Sequence, residues 1–336
     1  MSVIALCTLF CLSVELVTVT YFGRVSRIEK RRESEYRAAL AIRSAKANHK
    51  LSVLVAGNSL LLQGVDFPEL QRNLGPDLEV KRTVFENTSF LDWYYGLHRL
   101  FRRGSQPDVV VLVLSPLQLV SDATDGDYSV QMLVDWPDLL RFADETGANR
   151  NSLSVMALAR ASFFFGTRAE IRNWILNIVL PDLPALTQYL RYDVSFKDDN
   201  NTAKLAGERL SRLRKLCDQY GVKFVLVVPP GRKDSGLEVI ADAAATQGVS
   251  ALIPIRVLPG SDYADLIHLN PQGAAKFTPA LAQSLRETLA TPTAEASLRL
   301  SAPAPQTSTI GSGQAAEHPA KGPRSLGTDF SRPLLR

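Results

Sequence analysis

The sequence predicts an α/β fold: a mainly parallel sheet with helices packed on both faces. Three observations carry that expectation. Short β-branched runs alternate with amphipathic stretches between residue 51 and about residue 290, the rhythm of a doubly wound sheet. The run "PDVVVLVLSP" (107–116) is continuously apolar and fenced by prolines, as expected of a strand buried on both faces. Finally, 336 residues at 46% apolar composition suffice for one sizeable core with appendages.

Taken in chain order, "VIALCTLFCLSVELVTVTYFG" (3–23) is long enough to cross a bilayer, for which about 20 residues are needed. Residues 1–23 are therefore expected to be a transmembrane anchor, single-pass and retained in the cell membrane. Glu15 is its flaw, because an acid near the centre of a span costs about 2.5–3.5 kcal/mol. There is no basic segment before the span and no small-residue cleavage pattern after it, which argues against a cleaved signal peptide. The charged, helix-favouring residues 24–50 read as a juxtamembrane helix.

"LSVLVAG" (51–57) reads as a short buried strand ending on glycine, and "LEVKRTVFE" (78–86) as a second. "LDWYYGLHRLFRRG" (91–104) has helical spacing and a glycine stop, followed by the strand at 107–116. From about 122 to 195 the pattern turns to aromatic-rich helical segments, too long for a simple connection, and is expected to be a helical insertion. "NTAKLAGERLSRLRKLCDQYGV", "KFVLVVPP", "GLEVIADAAATQGV", "SALIPI" and "NPQGAAKFTPALAQSLRETL" then read as helix, strand, helix, strand and helix. The α/β domain thus covers 51–292. The tail, 293–336, is rich in Pro, Ala, Ser and Thr without periodicity and is expected to be disordered.

Charge and cysteine content exclude several functions. The net charge of +4 comes from scattered basic residues, so no electrostatic stripe suits nucleic acid. Cys7, Cys11 and Cys217 are too few for a disulfide framework, and no C-x-x-C occurs, so neither a zinc site nor a redox motif is indicated. "GNSLLLQG" lacks the lysine and hydroxyl residue of a phosphate-binding loop.

The chemistry gathers at two places. The first strand ends in Gly57-Asn58-Ser59, and ligand sites of open parallel sheets lie beyond the carboxyl ends of the strands. This is either an ordinary turn or one that holds a reactive serine. A serine hydroxyl needs a neighbouring base to be a useful nucleophile. Of the four histidines, His318 falls in the tail, His49 in a charged segment and His98 in an amphipathic helix. His268 lies in "SDYADLIHLNPQG", three residues after Asp265 and before the final helix. That spacing lets a carboxylate meet the imidazole Nδ1 and fix its tautomer.

"VLVAGNSLLLQGVD" (53–66) and "DLIHLNPQG" (265–273) resemble the first and last motif blocks of the SGNH (GDSL-type) hydrolase and acyltransferase superfamily. The resemblance spans roughly residues 51–290 and implies a flavodoxin-like, three-layer fold. It implies Ser59 as nucleophile, His268 as base and Asp265 as its orienter, with no metal or organic cofactor. The middle blocks depart from the family pattern. The oxyanion-hole glycine is absent from "FENTSFLDW" (85–93), where Asn87, Thr88 or Ser89 stand as substitutes, and "SPLQL" (115–119) lacks the asparagine, leaving Gln118 as the nearest amide. Losing one such donor costs about 10²–10³ in rate.

Two functions follow as expectations. One is a serine esterase or O-acyltransferase acting on an acylated glycan or lipid. The other is a catalytically silent, membrane-tethered glycan-binding or polysaccharide-assembly protein. Asp92-Trp93-Tyr94-Tyr95 and Phe163-Phe164-Phe165 are read first as packed helix residues, ahead of a sugar platform or an acyl pocket. Arg232 and Lys233, after the 223–230 strand, are read as a solvated loop at the active edge. Membrane-tethered relatives that act on envelope glycans imply an extracytoplasmic domain, whereas the basic residues of 24–32 favour the cytoplasmic side.

Overall fold

The computed structural model describes residues 2–180, 196 and 199–290. The expected tail at 293–336 and the end of the expected insertion lie outside those residues. The apolar N-terminus forms helix α1 over Val3–Val25, with a π-type turn at Thr18–Phe22. It is the one described helix long and apolar enough to cross a membrane, with a mean hydropathy of 2.2 and only a few residues buried.

After a break at Ser26, α2 covers Arg27–Ala41. β1 (Leu51–Gly57) leads into α3 (Ser59–Gly64) and α4 (Phe67–Leu74), and β2 (Leu78–Val84) into α5 (Phe90–Arg102). β3 (Val109–Val113) is followed by α6 (Pro116–Val120) and then by the insertion helices α7 (Asp127–Leu133), α8 (Leu139–Glu145), α9 (Arg150–Ala161) and α10 (Phe163–Val179). α11 (Asn200–Gln219), β4 (Lys223–Val227), α12 (Leu237–Thr246), β5 (Ser250–Leu252) and α13 (Pro271–Ala290) complete the unit. The second strand stops two residues short of the 78–86 expectation, because its chain turns at Glu86-Asn87. The last strand keeps only Ser250–Leu252 of "SALIPI".

All strand pairs are parallel, in the order β2-β1-β3-β4-β5. This is the flavodoxin-like order, whose switch point lies between β1 and β3. Alternate residues of each strand serve the two faces. Leu54, Ala56, Val110, Leu112 and Leu226 pack under α2, α5 and α11. Val53, Val55, Val111 and Val227 pack with Leu61, Leu70, Phe277 and Leu281 of α3, α4 and α13. Three layers result.

The expected juxtamembrane helix belongs to this core. Tyr36 and Ala39 of α2 are buried in the first face, so α2 is a layer element rather than a free stalk. Beyond Ala41 the segment is not α-helical: Ala45 N–H and Ser44 Oγ bond Asp108, at 3.0 and 2.5 Å, beside the amino ends of β1 and β3. Burial disfavours the Asp108 charge, but hydrogen bonds from Ser44, Ser52 and Ala45 outweigh it and hold its carboxyl below the usual range.

Candidate active site

β1 delivers its carboxyl end to the switch point. Gly57 faces Val84 on one side and Val113 on the other. A Cβ there would come within 3.0 Å of both the Val113 carbonyl oxygen and Leu61 Cβ, so glycine alone lets the neighbouring strand and α3 close in. Asn58 then works as a clamp. Its Oδ1 accepts from Leu60 N–H at 3.0 Å, capping α3, and its Nδ2 donates to the Thr88 carbonyl at 2.8 Å. Fully buried, this amide needs both bonds, since an unpaired buried polar group costs about 1–3 kcal/mol. The turn carrying Ser59 is thereby tied to the 86–89 loop.

The second half of the site comes from the loop between β5 and α13. Asp265 Oδ1 accepts the backbone N–H groups of Ile267 and His268, each at 2.8 Å. His268 O accepts from Ala264 N–H at 2.8 Å, and Asn270 Nδ2 donates to the Ser261 carbonyl at 2.7 Å. Gly273 lets the start of α13 press on this loop: a Cβ there would meet the Asp262 carbonyl oxygen at 2.3 Å.

The loop so held brings the three sequence-predicted residues together. His268 Nδ1 lies 2.7 Å from Asp265 Oδ2, and His268 Nε2 lies 2.9 Å from Ser59 Oγ. An ionised carboxylate only accepts, so Nδ1 carries the proton, Nε2 accepts, and the Ser59 hydroxyl donates. Burial works against the Asp265 charge, but hydrogen bonds from the His268 ring and from two backbone N–H groups prevail. They hold its carboxyl below the usual range. Ser59 is half-buried and His268 is buried, so the serine is reachable while its base is shielded. Among the described residues no cluster of three or more His, Cys, Asp or Glu suited to a metal occurs.

The expected oxyanion donors divide. Asn87 has φ +59°, the left-handed conformation in which glycine is ordinary and asparagine is the commonest substitute. Asn87 thus holds a glycine-like backbone conformation directly before Thr88, and its side chain is exposed. Thr88 Oγ1 donates to the Phe85 carbonyl at 2.6 Å, and Ser89 N–H donates to Asp92 Oδ2 at 2.8 Å. Ser89 N–H is thus committed to the start of α5. Gln118 Oε1 accepts from Ser115 N–H at 3.0 Å, closing a capping box at the start of α6.

Other candidates fall away from the site. His98 pairs with Asp138 at 3.0 Å on α5, and His49 caps a turn before β1 at the opposite edge. Trp93 and Tyr95 are buried in the core, which accounts for the aromatic start of α5 without a sugar platform. Phe165 packs against the core, whereas Phe164 is partly exposed. Arg232 and Lys233 are exposed after β4. Sequence reasoning missed the Asn58 clamp and the Asn87 conformation, although an Asn in a turn after a strand is a signal for the latter. It also missed an acidic pair behind the 86–89 loop. Burial pushes Asp92 up to about 6 and Asp125 up to about 7, and Asp92 Oδ1 accepts from Asp125 N–H at 3.4 Å.

No family model matches the chain, and no curated protein matches it. Among solved structures, it is similar to LAE5, an alpha/beta hydrolase enzyme from the metagenome of Lake Arreo, Spain. The identity is 12%, over 75% of this chain and 99% of that one, with a TM-score of 0.36. TesA gives 14% identity over 70% and 98%, with a TM-score of 0.35. A catalytic mutant of Axe2, an acetylxylan esterase from Geobacillus stearothermophilus, gives 10% over 75% and 97%, with a TM-score of 0.36. The α/β assignment here rests on the strand order and the three layers.

Proposed function

We propose that this chain is a membrane-anchored serine esterase or O-acyltransferase of the SGNH type, acting on an acyl ester of a glycan or lipid. The observation that carries the proposal is the unbroken path from Ser59 Oγ to His268 Nε2 and from His268 Nδ1 to Asp265, at 2.9 and 2.7 Å. As Ser59 Oγ bonds to the acyl carbon, its proton passes to His268 Nε2, and Asp265 stabilises the imidazolium. The tetrahedral oxyanion is met by backbone N–H groups of Ser59 and of Asn87 or Thr88. Collapse breaks the bond between carbon and the alcohol oxygen, and His268 returns the proton to that alcohol. Water or a second alcohol then attacks the Ser59 ester with His268 again as base, giving hydrolysis or acyl transfer. The apolar Val3–Val25 helix supports anchorage at a membrane.

A silent binding protein is the second reading. The stretch SPLQL at 115–119 favours it, because no asparagine stands there to donate a side-chain amide to an oxyanion. Turnover of a short-chain p-nitrophenyl ester separates the two. Catalysis predicts a fall of about 10⁶ in kcat for Ser59→Ala and about 10⁴ for Asp265→Asn. A rate equal in wild type and Ser59→Ala, with both folded, refutes it.

A further inference from the structure

The anchor and the candidate site meet the sheet at the same edge. α2 begins at the carboxyl end of β2, where Arg31 donates to the Val84 carbonyl and pairs with Glu86. Arg32 Nε donates to Glu86 Oε2 at 2.8 Å, and Glu86 directly precedes Asn87 and Thr88. The helix then runs against the strand direction. The Ala39 carbonyl accepts from Ser105 Oγ at 2.7 Å, and the chain beyond it reaches Asp108 at the amino ends of β1 and β3. Val25 lies only six residues before Arg31, across the break at Ser26, so the apolar helix joins the domain at the edge that carries Ser59.

Glu15, the acid that looked out of place in a span, has a structural partner. Its carboxylate accepts from Phe163 N–H at 2.6 Å, from Ser162 Oγ at 2.7 Å and from Phe164 N–H at 3.1 Å. These are the first groups of the 17-residue α10, where the helix end favours a negative charge. Farther along, the Phe22 and Trp174 rings meet edge to face, 6.1 Å between centroids. The insertion is docked on the anchor. Both helices carry exposed aliphatic side chains away from that seam: Leu16, Val17 and Val19 on α1; Ile175, Ile178 and Val179 on α10, beside exposed Arg172, Asn173 and Asn177. Exposed Arg24, Arg27 and Lys30 stand at the exit of the anchor, suited to anionic headgroups. Within the site loop, Leu266 and Ile267, between Asp265 and His268, are 49% and 51% exposed.

We propose that the carboxyl edge of the sheet faces the bilayer, and that the ester reaching Ser59 is carried by a membrane-resident molecule, a lipid or a lipid-linked compound. The anchor, α10 and the Leu266-Ile267 tip are the lipid-facing surface. Burying each of those two side chains in the interface is favourable in the way any large aliphatic side chain is on leaving water, and it sets His268 at the level where the acyl groups of such molecules begin. The substrate class rests on the esterase reading above; the orientation does not.

The test uses the full chain in vesicles of phosphatidylethanolamine and phosphatidylglycerol. With Cys7 and Cys11 changed to Ser and Cys217 to Ala, an environment-sensitive fluorophore is placed at Ile267→Cys or, as a second position, Leu266→Cys. Lys50→Cys, exposed before β1 at the opposite edge, is the control. Circular dichroism checks that each variant is folded. The proposal predicts that doxyl-labelled lipids remove most of the emission at 267 or 266 and leave the probe at 50 bright. It also predicts that a phospholipid acyl ester in the same vesicle is cleaved in preference to a water-soluble short-chain ester. Labelling of Ser59 by a fluorophosphonate, with bright probes at 266 and 267 and an untouched vesicle ester, overturns the proposal and leaves the esterase reading standing. Quenched probes with an unreactive Ser59 overturn the esterase reading and the substrate class with it, while the orientation holds.

Discussion

Replacing Asn58 by Asp changes one buried atom and predicts a stability difference that depends on pH. In the wild type the amide caps α3 through Oδ1 and holds the Thr88 carbonyl through Nδ2, at 3.0 and 2.8 Å, with no solvent exposure. In Asn58→Asp the ionised carboxylate keeps the first bond but turns a lone pair toward the Thr88 oxygen. A buried carbonyl then loses its donor and a charge is left in the interior. Together these cost about 2–4 kcal/mol. Once protonated, the carboxyl donates to Thr88 and most of the penalty disappears. Burial raises the folded pKa of such an acid, so the penalty is absent below the unfolded value of about 3.9 and grows as pH rises above it. The variant is therefore expected near wild-type stability at pH 4. At pH 8 it falls by about 2–4 kcal/mol, or about 5–15 °C in Tm for a domain of this size. Asn58→Ala loses the cap and the clamp at every pH, at a cost of about 2 kcal/mol. Paired thermal melts from pH 4 to 8 measure this. A difference between Asn58→Asp and wild type that stays flat with pH refutes the clamp, as does a fully stable Asn58→Ala.

Three further outcomes follow from single observations. Asn87→Gly keeps the left-handed turn and should leave both stability and ester turnover close to wild type. Asn87→Val should cost about 1–2 kcal/mol and slow acylation, so equal turnover in the two variants contradicts the assigned conformation. Asp125, pushed up to about 7 by burial with Glu170 nearby, favours the protonated folded state. It therefore withdraws stability as pH rises from about 4 to 7, and Asp125→Asn should gain about 1–3 kcal/mol over wild type at pH 8 and little at pH 4. Glu15→Ala removes the acceptor for the Phe163 and Phe164 amides, and their hydrogen exchange should accelerate about thirty- to thousandfold, the equivalent of about 2–4 kcal/mol. Unchanged exchange at those two amides would show that α1 does not hold α10.

The sheet was legible because its strands announce themselves chemically. Residues 107–116 and 223–230 are β-branched runs that only a doubly covered strand can use, and their glycine and proline borders mark the ends. Asp265 and His268 were legible because three residues of spacing constrain a loop as tightly as a helix turn. Ser59 was legible from its place at the end of a strand. What escaped was set by partners far away in sequence. That Asn58 grips Thr88, thirty residues on, depends on the β1–β2 register. Asn87 takes a glycine-like conformation that its residue type permits but does not specify. Residues 24–50 read as a charged juxtamembrane helix because polar residues dominate their composition, yet Tyr36 and Ala39 are enough to seat α2 on the sheet. Glu15 read as a defect in a span because its partners at 162–164 lie almost 150 residues downstream.

The most direct measurement of the central claim is peptide mapping of a fluorophosphonate adduct on the full chain, beside Ser59→Ala and His268→Ala. The account predicts a single adduct on Ser59 in the wild type. It predicts none in either variant, with all three proteins giving the same circular dichroism. A folded wild type that takes up no probe at Ser59, or a His268→Ala protein labelled at the wild-type rate, would contradict it.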